Sequence, residues 1–155
     1  MKAKFPFHKQ ETCYTCGAAA TRMALEFVGI KKSERQVVKI LGTNKIRGTW
    51  HRGFPIVAEK FKLIHVSMRN SKIEDLKRYQ KDGFAVILCY FLPTEKVDHY
   101  SVLKNIDKKF IYFWDPWFGP DHKYSLKYFN NAWKSDPRYD NEKHWFFAIK
   151  NNNYV

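Results

Sequence analysis

Ala19, Met23 and Phe27 recur at helical spacing, with Ala20, Ala24 and Val28 beside them. This apolar stripe predicts a first, mostly buried helix that Thr15 can cap and Gly29 closes. A second helix is announced by Ser33 and Gln36, spaced as a capping box, with Val37, Val38, Ile40 and Leu41 inward and Gly42 at its end. Between Gly42 and Gly53 the pattern loses its period and reads as a connection. Pro55 suits a first helical position and opens a third helix through Phe61. Leu63–Met68 is a short strand. Ser71 and Glu74 form another capping-box pair, before a helix that ends near Gly83.

Beyond Gly83 the pattern changes. Phe84–Phe91 is an unbroken apolar run rich in strand formers, as expected of a central strand. His99–Ile106 and Phe110–Trp114 are predicted to pair as a hairpin about Asp107-Lys108. Asp115-Pro116 and Gly119-Pro120 break the chain. A short helix follows over Ser125–Trp133, and a last strand over Trp145–Ile149. Helices first and antiparallel strands second indicate an α+β fold whose two halves face each other. The expected organisation is one domain over residues 1–155, with no repeats.

Composition narrows the function classes. An apolar fraction of 45% and an aromatic fraction of 17% argue against disorder. No apolar stretch is long enough for a membrane span, and Pro6, His8 and Lys9 interrupt any signal-peptide core, so the expected location is cytoplasmic. Three cysteines do not make a disulfide framework. The net charge of +13 is spread along the chain without a basic block or a nucleic-acid module. It suggests weak attraction to anionic surfaces rather than specific nucleic-acid binding. The aromatics of Phe110–Phe118, Trp117 included, read as core and as a cleft wall beside Asp115.

The chemistry concentrates at Gln10–Ala20. Cys16 opens a helix, where unpaired N–H groups and the positive end of the dipole favour thiolate. Gly17 would let a substrate approach the backbone, and the Gln10 amide can donate to an oxyanion. A thiol nucleophile needs a base. His99 begins a strand at the edge of a cleft, and Asp115 stands at the same end of its hairpin partner, in reach of the second ring nitrogen. Asp98 points to the opposite face of that strand and is the poorer orienter. Metal is the rival use of the thiols: His8, Cys13 and Cys16 have zinc-compatible spacing but lack a fourth ligand. A redox Cys-x-x-Cys would want a strand before it.

The set Gln10, Cys16, Gly17 and Ala19, then Asp98-His99-Tyr100-Ser101-Val102-Leu103, then Trp114-Asp115-Pro116, resembles the bacteriocin-processing (double-glycine) peptidases and their stand-alone relatives, among the papain-like cysteine peptidases. The resemblance covers nearly the whole chain and implies a papain-like fold. It implies Gln10 as oxyanion donor, Cys16 as nucleophile, His99 as base and Asp115 as orienter, a peptide or protein substrate, and no cofactor. Thr15 stands where the family often has aspartate, and no transporter segment is attached. Two alternatives use the same fold: a non-catalytic peptide- or polyanion-binding module, and an acyl or peptidyl transferase working through the same thioester.

Overall fold

The computed structural model describes residues 4–153. Five helices and six strands follow in the order α1 (Cys16–Phe27), α2 (Glu34–Leu41), α3 (Gly53–Lys60), β1 (Ile64–Met68), α4 (Ile73–Lys81), β2 (Ala85–Leu92), β3 (Val97–Ile106), β4 (Phe110–Asp115), β5 (Gly119–Ser125), α5 (Leu126–Ala132) and β6 (Phe146–Lys150). The strands form one antiparallel sheet in the order β1-β6-β2-β3-β4-β5.

Strand β2 is flanked by β3 and β6, and its two side-chain rows enter two different cores. Ala85, Ile87 and Cys89 face one core with Met23, Ala24, Val37 and Phe54 of the first three helices. Val86, Leu88, Tyr90 and Leu92 face the other, with Leu76 of α4 and Phe129 of α5. That double burial explains the unbroken apolar run. The helices therefore cover both faces of the sheet, α1–α3 on one and α4 and α5 on the other.

Several local readings change. The α4 cap lies one residue later than Ser71 and Glu74 suggest: Lys72 N–H donates to Asp75 Oδ2 at 2.8 Å. Helix α3 begins at Gly53, so Pro55 is its third residue rather than its first. Thr15 precedes α1 without capping it through its side chain. Its Oγ1 instead accepts from Thr12 N–H at 3.1 Å. Strand β5, unforeseen, runs through the segment read as a chain break. It is the sheet edge, where a proline, having no N–H for the ladder, is tolerated. The Ser33–Gln36 capping box and the left-handed Gly42 closing α2 form as expected.

The β3–β4 hairpin turns where Asp107 Oδ1 accepts from the N–H groups of Lys109 and Phe110, each at 2.8 Å. Its register pairs Val102 with Trp114, which leaves His99 and Asp115 at the end of the hairpin away from this turn. The entry segment is pinned to that same end. Gln10 N–H donates to Pro116 C=O at 3.0 Å, and Phe5 stacks on Trp114 with ring centroids 4.6 Å apart.

Candidate active site

Cys16 is the first residue of α1, and Ala18, Ala19 and Ala20 behind it are fully buried. Small side chains there let the helix start lie close to β3 and to the loop that follows α2. Gly17 carries the tightest constraint. A Cβ at this position would stand 2.5 Å from Thr49 Oγ1, 2.8 Å from Thr49 Cβ and 3.2 Å from Tyr100 Cδ2. The glycine is thus required by helix–loop packing. Gly17→Ala is expected to cost about 1–3 kcal/mol by overpacking, read from urea denaturation. An unchanged unfolding midpoint would mean that the Thr49 loop yields freely.

His99 and Tyr90 are directly paired across β3 and β2 and so share one face of the sheet. His99 Nε2 and Asp115 Oδ1 are 2.8 Å apart, both groups buried. The same Oδ1 accepts from the N–H groups of Trp117 and Phe118, each at 2.8 Å. Asp115 Oδ2 accepts from the Tyr90 hydroxyl. Burial disfavours the Asp115 carboxylate, but the hydrogen bond and charge of His99, with the Tyr90 hydroxyl, hold its pKa down at about 2. Burial likewise works against the His99 imidazolium. The charge of the neighbouring Cys16, the hydrogen bond to Asp115 and the Asp115 charge outweigh it and raise His99 to about 10. With Nε2–H held by Asp115, Nδ1 is the ring nitrogen left for the thiol.

Beside Cys16 lies a cavity of about 220 Å³ walled by Cys13, Tyr14, residues 45–49, Val97, Asp98, Tyr100, Asp136, Arg138 and Tyr139. Neither Gln10 nor Trp117 is among these walls. The Gln10 side chain is buried and its Nε2 donates to Thr12 C=O at 2.7 Å, leaving one amide N–H. Trp117 meets the site through its backbone N–H on Asp115 at 2.8 Å, and the residue is about half exposed.

The 45–49 wall is held from below by a buried ion cluster. Asn44 Oδ1 accepts from the N–H groups of Ile46 and Arg47, turning Arg47 inward and leaving Ile46 exposed. The Arg47 guanidinium grips both Asp98 oxygens, at 2.8 and 3.0 Å, and Asp140 Oδ2 at 2.6 Å. Asp98 Oδ2 also accepts from Asp136 N–H at 3.0 Å, which ties in the opposite wall. Asp98 therefore faces away from His99, as strand alternation requires, and organises the cavity instead of the histidine.

Among the described residues, one trio of metal-ligating types converges: His51, Cys89 and Asp98, whose ligand atoms lie within 4.8 Å of one another. The trio does not fit a metal, because the Arg47 guanidinium already occupies the cationic position at both Asp98 oxygens. The zinc-spaced set is dispersed too, since His8 Nε2 meets Glu26 Oε2 at 2.6 Å. All three cysteines are free, Cys13 exposed and Cys89 buried, with burial raising the Cys89 thiol well above its ordinary pKa.

The family model described as Peptidase_C39 like matches residues 2–140. The chain belongs to this family. No curated protein matches it. Its fold is that of solved papain-like C39 peptidases. A C39-like peptidase from Bacillus anthracis has a TM-score of 0.75 at 16% identity, covering 94% of each chain. The peptidase domain of Streptococcus ComA, a bifunctional ABC transporter of a quorum-sensing pathway, has a TM-score of 0.73 at 17% identity, over 96% of this chain and all of that one. A double-glycine-motif protease from an AMS/PCAT transporter, solved with its leader peptide, gives 0.69 at 22% identity, over 96% of this chain and 93% of that one.

Sequence reasoning missed Tyr90 and Arg47. Tyr90 lay inside the apolar run, where one aromatic is indistinguishable from core. Arg47 sat in a loop read as a plain connection, and its partners Asp98 and Asp140 are 51 and 93 positions away.

Proposed function

We propose that this C39-family protein is a cysteine peptidase in which Cys16 is the nucleophile, His99 the acid–base group and Asp115 its orienter. The reading rests above all on one observation: a buried imidazole whose Nε2 lies 2.8 Å from the Asp115 carboxylate and whose pKa is raised by the neighbouring Cys16. In this mechanism a Cys16 thiolate beside the His99 imidazolium attacks a peptide carbonyl carbon, and the oxyanion is received by the Cys16 N–H and the free N–H of the Gln10 amide. His99 Nδ1–H protonates the leaving amine. Water, deprotonated at Nδ1, then releases the acyl group and restores the thiol. No metal takes part.

The substrate we infer is a peptide, by analogy with the double-glycine protease solved with its leader peptide. Among the described residues no helix is long and apolar enough to cross a membrane. The free cysteines suit the cytoplasmic location proposed for the protein, in which residues 1–155 act as one domain.

The test is thiol labelling, which needs no known substrate. Iodoacetamide at about pH 6 is expected to modify Cys16 ahead of exposed Cys13, with buried Cys89 last, since only Cys16 has an imidazolium partner. Mass mapping that finds Cys13 modified first, or both equally, would remove the case for an activated nucleophile.

A further inference from the structure

We propose that Tyr90 is a positioning residue for the reaction: through its hydroxyl it holds the Asp115 carboxylate in the plane that serves His99. This rests on the peptidase reading above and adds a component that the Cys16, His99 and Asp115 set does not contain.

The hydrogen-bond directions are forced. Asp115 is ionised and can only accept, so the Tyr90 hydroxyl must donate to Oδ2. That proton being spent, the contact of 2.6 Å between Tyr90 and Ser101 Oγ must be a bond donated by serine to the phenol oxygen. A one-way chain results, from Ser101 to Tyr90 to Asp115, with His99 donating to the far carboxylate oxygen. Ser101, Tyr90 and Asp115 are fully buried and His99 nearly so, so water does not substitute for any of these groups.

The two carboxylate oxygens are held unequally. Oδ1 accepts three hydrogen bonds, from His99, Trp117 and Phe118. Oδ2 accepts from Tyr90 alone among the described residues. His122 Nε2 lies 3.9 Å from Oδ2 and is a buried nitrogen without a hydrogen-bond partner among the described residues. The His122 ring is stacked on Phe118 and packed edge-on against Tyr124, and burial lowers its pKa. His99 and His122 thus stand on the two sides of one carboxylate, and the Tyr90 hydroxyl decides which of them it serves. Without that hydroxyl the bare Oδ2 draws a proton onto His122 and the carboxylate turns toward it. His99 then loses part of the alignment that keeps its imidazolium aimed at Cys16.

Tyr90→Phe tests this, because it removes one oxygen from a packed ring and keeps the aromatic contacts with Phe113 and Phe129. With any peptide that the wild-type protein cleaves, kcat is expected to fall about tenfold while KM stays within about twofold, the signature of an interaction used in the transition state. In ring-labelled protein, the His99 imidazolium is expected to titrate at lower pH in the variant and His122 at higher pH. Ser101→Ala, which removes only the donor to the phenol oxygen, should shift both in the same directions by less. A lowered thermal midpoint with unchanged His99 and His122 titrations and unchanged kcat would make Tyr90 a packing residue and overturn the proposal. The titrations do not depend on turnover. If the wild-type protein cleaves no peptide and Cys16 is not preferentially alkylated, the peptidase reading fails separately, while the titrations still decide whether Tyr90 holds Asp115 for His99.

Discussion

Asp115→Ala is expected to lower kcat by about two to four orders of magnitude, and to slow Cys16 alkylation near pH 6 in parallel. Asp115 is wholly buried, and its Oδ1 gathers the His99 ring and two backbone N–H groups from the turn that follows β4. Removing it deletes the charge that favours the imidazolium and takes the acceptor from four donors, the His99 ring, the Tyr90 hydroxyl and the N–H groups of Trp117 and Phe118. Nδ1 and Nε2 of His99 then compete for the proton, and the ring loses the bond that presents Nδ1 to the thiol. Kinetics and labelling on the same preparation check this. Loss of both together is the behaviour of a catalyst. A binding module on this fold would keep its peptide affinity and its labelling pattern, and that outcome would reject the peptidase reading.

Arg47→Met is expected to destabilise the protein by about 3–5 kcal/mol, the cost of stripping one partner from a buried ion pair. The Arg47 side chain is 3% exposed, and burial works against its charge. Asp98, Asp140 and the Tyr100 phenol more than offset this and push the guanidinium pKa further above its ordinary value. Without it Asp98 remains buried with a single donor, the Asp136 N–H. The two walls of the Cys16 cavity also lose their tie, so KM for a cleaved peptide should rise before kcat falls. Urea denaturation of Arg47→Met and of the double variant Arg47→Met, Asp98→Leu measures the pair. The double variant should recover part of the loss, since Asp98 is no longer buried without its guanidinium, while Asp140 keeps the His51 N–H at 3.2 Å. A single variant within about 0.5 kcal/mol of the parent would mean that the cluster does not hold the loop.

The sequence by itself determined the local elements and the type of chemistry. The helical stripe from Ala19 to Val28 placed Cys16 at a helix start, because small and apolar residues at that spacing have one face to bury. The Asp107 turn and the strand formers on either side placed His99 and Asp115 at one end of a hairpin, because pairing from a tight turn leaves little freedom of register. Both are short-range consequences of the chain. The tertiary structure decided what short range cannot carry. The Tyr90 hydroxyl became a partner of Asp115 only when β2 docked beside β3 in the register that sets Tyr90 opposite His99. Gly17 proved to be a packing requirement because Thr49, on a loop beyond the second helix, fills the space a side chain would need. Arg47, Asp98 and Asp140 met because a buried guanidinium and buried carboxylates are each costly alone and tolerable together. No window of sequence contains all three.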